Sequence, residues 1–172
     1  LNARASVREK APVEGSETHR QNLILGLTQP RARDASGFFS LVPPMGWRKS
    51  EYPEGTSYNM VFVGPQKMDL MIQASPVTNS LFSDLIKRIW AQEKAMSADM
   101  HIETVTFISR PAVRRTVRLY TQKLLLLDFV EQGVAHHIQF SAPPEMFDYY
   151  LPAVMQVLET YQPEVPPAAK TP

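Results

Sequence analysis

A chain of 172 residues, 44% of them hydrophobic, is long enough to bury one core and fits a single domain with tails. The formal net charge of +1 gives no strong pull towards nucleic acid or anionic lipid. Cysteine is absent, which excludes a disulfide framework, a thiolate metal site and a cysteine nucleophile.

From Leu1 to Ser36 the residues are mixed and polar, broken by Pro12 and Gly15, and only Leu23, Ile24, Leu25 and Leu27 form an apolar spot. Residues 1–36 therefore read as an extended linker or strap, ordered only when those leucines and the isoleucine touch a partner. The opening at Leu1 rather than Met fits either a removed targeting segment or a shortened chain. At the other end, residues 163–172 form a proline-rich tail. The folded unit is expected to span residues 37–162.

That unit opens with Phe38-Phe39-Ser40-Leu41-Val42, an apolar strand that runs into Pro43-Pro44. Proline offers no amide donor, so the pair ends the ladder; Gly46 permits a reversal and Trp47 anchors the returning chain in a core. Tyr58, Met60 and Phe62 then alternate with polar or outward positions up to the turn Gly64-Pro65-Gln66-Lys67. Met68, Leu70, Ile72 and Ala74 continue the alternation, which predicts a hairpin. Ser75-Pro76 stops it.

The rhythm next changes to helical, with Leu81, Phe82, Leu85, Ile86, Ile89 and Trp90 on one face, a cap at Asn79 or Ser80, and Asp84 in the first turn. Four strands follow at about 101–109, 112–122, 123–131 and 134–142, with turns expected at Arg110-Pro111 and Gln132-Gly133. Leu124–Leu127 does not alternate, which predicts a central strand covered on both faces. A last helical stripe (Phe147, Tyr150, Leu151, Val154, Leu158 and Tyr161) contains Pro152, which either kinks it or starts its regular part. The order predicts an α+β fold: an antiparallel β-sheet of about six or seven strands flanked by helices.

The Pro43-Pro44-Met45-Gly46-Trp47 opening, the step into Gly64-Pro65, the helix after Ser75-Pro76 and the Ala142–Phe147 lead into the last helix resemble the Mog1/PsbP-like family. The resemblance covers Gly37 to Tyr161. It implies an α/β/α sandwich shared by a subunit of the oxygen-evolving complex, a Ran-binding nuclear protein, exported bacterial lipoproteins and chaperones of secretion effectors. Those proteins share a scaffold, not a reaction. No calcium- or manganese-ligand motif of the family matches here, so no cofactor and no metal are expected.

The residues themselves argue against catalysis. His136-His137 is the best metal or acid–base candidate, but strand neighbours point to opposite faces and cannot chelate one ion. His136 shares its face with Val134, Ile138 and Phe140, so it is expected to cap the core. Asp69, Asp84, Asp128 and Glu131 are scattered, no serine sits in a nucleophile elbow, and no glycine run could cradle a phosphate. No catalytic residue is expected.

One cluster remains. Arg110, Arg114, Arg115, Arg118 and Lys123 fall on and around one strand, with Arg114, Arg118, Thr116 and Tyr120 on one face. This is either a solvated face that blunts edge pairing or a docking stripe for an acidic protein surface or lipid headgroups. Nucleic acid is not expected, because no stacking platform recurs. No apolar run reaches the roughly 20 residues of a bilayer span. Two readings follow. One is an exported, periplasmic or lumenal accessory subunit that stabilises a membrane-associated protein complex through Leu23–Leu27, Arg114, Arg118 and Tyr120. The other is a cytoplasmic chaperone or adaptor that holds apolar client segments on a sheet face.

Overall fold

The computed structural model describes residues 29–77, 81–95 and 99–166, so the expected contacts of Leu23, Ile24, Leu25 and Leu27 and the caps Asn79 and Ser80 lie outside the described residues. The chain enters through two short strands, β1 (Ala32–Arg33) and β2 (Phe39–Leu41). It continues through β3 (Arg48–Glu51), β4 (Met60–Val63) and β5 (Asp69–Pro76) to helix α1 (Phe82–Ala95). A meander of β6 (Asp99–Phe107), β7 (Arg110–Arg118), β8 (Lys123–Glu131) and β9 (Val134–Ala142) follows. Helix α2 (Pro144–Leu158) and the two-residue β10 (Gln162–Pro163) close the unit.

Strands β3 to β9 form one antiparallel sheet of seven in the order β3-β4-β5-β9-β8-β7-β6, and β1-β2-β10 form a second sheet of three. The alternation read from the sequence sets the faces. Met60, Phe62, Leu70, Ile72, Leu125, Leu127, Phe129, Ile138 and Phe140 are buried with Phe147, Tyr150, Val154, Val157 and Leu158 of α2 and with Phe39 and Leu41 of the small sheet. On the opposite face Leu85 and Ile89 of α1 pack on Val113, with Ile102 and Val130 around them. Leu126 is also buried, so β8 is covered on both sides, as its unbroken leucine run requires. Trp47 is buried in the main core.

Three expectations are corrected. The β6–β7 turn falls at Ile108-Ser109, both with positive φ, while Arg110 and Pro111 already belong to the ladder. A two-residue hairpin with both central φ positive matches strand twist better than a turn at proline. Gln132-Gly133 makes the same kind of turn, at the expected place. Helix α2 runs through Pro152 from a start at Pro144, where the missing amide leaves no bond unmade.

The third correction concerns the ends. Residues assigned to the strap and to the tail are part of the folded unit. Arg31 donates to Ser40 Oγ at 3.0 Å and to the Thr160 carbonyl. Asp34, only 4% exposed, accepts from Phe38 N at 3.1 Å and from Tyr52 Oη at 3.0 Å. Glu164 accepts from Arg33 at 2.6 Å and from Ser40 Oγ at 2.8 Å. Two-residue strands carry no readable period, and these ties span more than a hundred residues of chain.

Candidate functional site

The basic stripe divides at the pleat. Successive residues of β7 point to opposite faces, so Arg115 turns away from Arg114 and Arg118. Arg110 pairs with Glu131, and Arg114 Nε lies 3.9 Å from Glu103. Lys123 reaches Asp148 on α2 at 3.0 Å and sits 4.8 Å from the centre of the Phe147 ring. Arg118 is exposed and has no ion pair among the described residues. Beyond it the chain turns, with Leu119 N donating to the Gln122 carbonyl, and Tyr120 stands fully exposed at the tip. Arg118 and Tyr120 border an open groove with Gln66, Lys67, Pro143 and Met146. The structure thus brings Arg118 and Tyr120 to one place and leaves Arg114 further up the strand, half-buried beside Glu103.

On the other side of the sheet the pattern builds a second site that sequence reasoning missed. Antiparallel register sets Asp128 of β8 opposite His137 of β9. It also sets Val113 opposite Asp128, which leaves Arg115 diagonal to that carboxylate. His137 Nδ1 donates to Asp128 Oδ1 at 2.7 Å, and Arg115 Nη2 donates to Asp128 Oδ2 at 2.9 Å. Arg115 and Asp128 are 8% and 7% exposed, so this is a buried ion pair with a histidine attached. Burial pushes the Asp128 carboxyl up. The His137 hydrogen bond and the Arg115 charge outweigh that, and its pKa lies below the usual range.

These three residues line a cleft of about 330 Å³ beneath α1, together with Gln73, Arg88 and Leu85 among others. The helix packs on β7 and β8, and towards β5 and β4 the same face carries the half-buried Val61 and Met71 and the exposed Val63. There Tyr58 lies with its ring 6.4 Å from that of His137. Burial raises the Tyr58 hydroxyl, and the charges of Asp69 and Asp128 add to the effect. Asp69 has one carboxylate oxygen buried without a partner, and burial lifts its pKa to about 6.

His136 behaves as expected. It is 2% exposed on the core face, Nδ1 lies 2.6 Å from Tyr161 Oη, and its ring stacks on Phe129 at 4.7 Å. Burial and the nearby Arg110 charge lower its pKa to about 4 despite an opposing effect of Asp34, so it serves the core as a neutral ring. The two imidazoles therefore look into different layers. Among the described residues no group of three histidine, aspartate or glutamate side chains could hold a metal ion. The scattered look of Asp128 in the sequence was misleading, because cross-strand partners share no local spacing. The available signal was alternation itself: on the face of β8 that carries Leu124, Leu126 and Val130, Asp128 is the one charged residue.

No family model and no curated protein matches the chain. Solved structures do. The solution structure of cyanobacterial PsbP (CyanoP) from Synechocystis sp. PCC 6803 aligns over 78% of this chain and 91% of its own, with a TM-score of 0.56 and 12% identity. LpqN, described as involved in cell envelope biogenesis of Mycobacterium tuberculosis, aligns over 79% and 90%, with a TM-score of 0.56 and 11% identity. A protein of Bacteroides thetaiotaomicron aligns at 0.56 with 16% identity over 78% of this chain, which spans about half (47%) of that longer protein. At such identities it is the path of the backbone that is shared, and the order of strands and helices is the one described above. The chain has the PsbP-like fold.

Proposed function

We propose that the protein is a non-enzymatic accessory subunit that docks on a larger, membrane-associated protein complex in an exported, periplasmic or lumenal setting. The observation that carries this reading is the pairing of a fully exposed Tyr120 with an exposed Arg118 at the rim of an open groove. Tyrosine and arginine are the residues enriched at interfaces, and a tyrosine left wholly in water gains nothing for its own fold. The fold is shared with PsbP and with LpqN, a protein of cell envelope biogenesis, which supports an envelope or extracellular setting. Arg114, on the same face of β7 but away from the groove, adds a second basic position beside Glu103, and Leu23, Ile24, Leu25 and Leu27 supply the strap.

The test is a pull-down from the native source with full-length bait, bait lacking residues 1–28, the double charge reversal Arg114→Glu/Arg118→Glu, and Tyr120→Ala. The altered baits should lose a specific complex, and the loss at the arginines should shrink as salt is raised. Equal recovery by all four baits would remove the proposal. The chaperone or adaptor reading would then rest on the sheet face beside α1, where Val61 and Met71 are half-buried and Val63 is exposed.

A further inference from the structure

The cleft beneath α1 has polar capacity that the fold does not use. Both oxygens of Asp128, the only carboxylate lining the cleft among the described residues, are engaged, one by His137 and one by Arg115. What remains are donors. Arg115 is more than nine-tenths buried, and its Nε is shielded from water with no acceptor. Arg88 on α1 is exposed at the cleft edge, and Gln73 lies across the ladder from His137. His137, whose side chain is partly exposed, is tied to Asp128 through Nδ1, which leaves Nε2 as the ring nitrogen available to the cleft. A buried guanidinium nitrogen without an acceptor is costly unless a ligand or water completes it.

The rest of the wall combines the apolar Leu85 and Ile89 from α1 and Ala135 from β9 with the polar Ser75 and Gln92. At about 330 Å³ the cleft sits near the lower end of the ~300–1,000 Å³ range of small-molecule sites. Donors together with a few apolar side chains match a compact molecule with an acidic head and a small hydrocarbon body.

The histidine adds a condition. Because Nδ1–H is committed to Asp128, a neutral His137 presents a bare lone pair at Nε2, which repels an anion. Protonated, the same nitrogen donates, and the Asp128 carboxylate behind it supports the imidazolium. The charged and titratable groups around the imidazole are Asp128 from β8, Arg115 from β7, Arg88 from α1 and Tyr58 from the segment before β4.

We infer that the cleft is a binding site for a small organic acid, taken up together with one proton. The carboxyl group lies among His137 Nε2, Arg115 and Arg88, and the hydrocarbon part lies against Leu85, Ile89 and Ala135. This site is on the face of the sheet opposite α2 and does not depend on the docking role proposed for Arg118 and Tyr120.

Benzoate is the probe, with methyl benzoate as the neutral shape control and inorganic phosphate as an anion without a hydrocarbon body. Calorimetric titration of the full chain should show saturable binding of benzoate and at least tenfold weaker binding of either control. Repeating it in buffers of different ionisation enthalpy should report uptake of about one proton. His137→Gln should abolish the proton uptake, and Arg88→Gln, at an exposed helix position, should weaken benzoate several-fold without affecting folding. No saturable benzoate binding overturns the inference. So does equal binding of methyl benzoate or phosphate, binding without proton uptake, or affinity unchanged in both variants.

Discussion

Gly64 is the space that Trp47 occupies: a Cβ built on Gly64 would stand 2.5 Å from Trp47 Cε2. The proline-rich opening and the hairpin turn thus form one packing unit, the indole of the first lying on the bare backbone of the second. Trp47→Ala should cost about 3–5 kcal/mol, because a large ring that is 7% exposed leaves a cavity. Gly64→Ala should cost about 1–3 kcal/mol by overpacking. The two losses should not add, since the missing indole makes room for the new methyl. Urea unfolding of the two single variants and the double variant measures the coupling. Strict additivity would show that the contact is relaxed in solution.

Arg118 and Arg115, on opposite faces of β7, should respond very differently to charge reversal. Arg118→Glu changes an exposed residue and should shift stability by no more than about 0.5 kcal/mol. Arg115→Glu places a second carboxylate against buried Asp128 and should prevent folding. The milder Asp128→Asn keeps the shape but takes away the charge that holds Arg115, and should still cost about 3–5 kcal/mol. Thermal melts followed by far-UV circular dichroism separate these outcomes.

Acid response should show two opposed contributions. His136 has its pKa lowered from 6.5 to about 4, so between those values the unfolded chain holds the proton and the folded one does not; stability is lost as pH falls through that window. Asp69 has its pKa raised from 3.8 to about 6, so the folded chain holds the proton there and stability is lost as pH rises. In Asp69→Asn the rise of stability with pH between about 4 and 6 should become steeper. In His136→Phe it should flatten or reverse, whatever the overall stability. Denaturant midpoints at a series of pH values read both slopes.

Truncation should locate the true start of the domain. A chain beginning at Gln29 keeps the Arg31 and Asp34 contacts and should melt with the full-length protein. A chain beginning at Gly37 loses β1, and it leaves the buried Asn59 and the Tyr52 hydroxyl without their Asp34 partner. It should melt several degrees lower. Equal melting temperatures for both would mean that β1 adds nothing to the core.

The sequence by itself determined the order of the long elements, the faces of the long strands, the central place of Leu124–Leu127, the burial of Trp47 and the division of His136 from His137. Each follows from a period or a turn residue within a few positions, and burial of one face then forces the answer. Only the tertiary structure decided what crosses between elements. Register set Asp128 against His137 and diagonal to Arg115, closing a cleft whose parts lie nine and thirteen residues apart in the chain. It also brought Arg31 to Thr160 and Arg33 to Glu164, so residues with the composition of a tail became strand and clamp. A two-residue strand has no period of its own to read. β1 pairs with nearby β2, but β10 and the Arg31 and Arg33 side chains find partners more than a hundred residues away, and local composition carries no record of them.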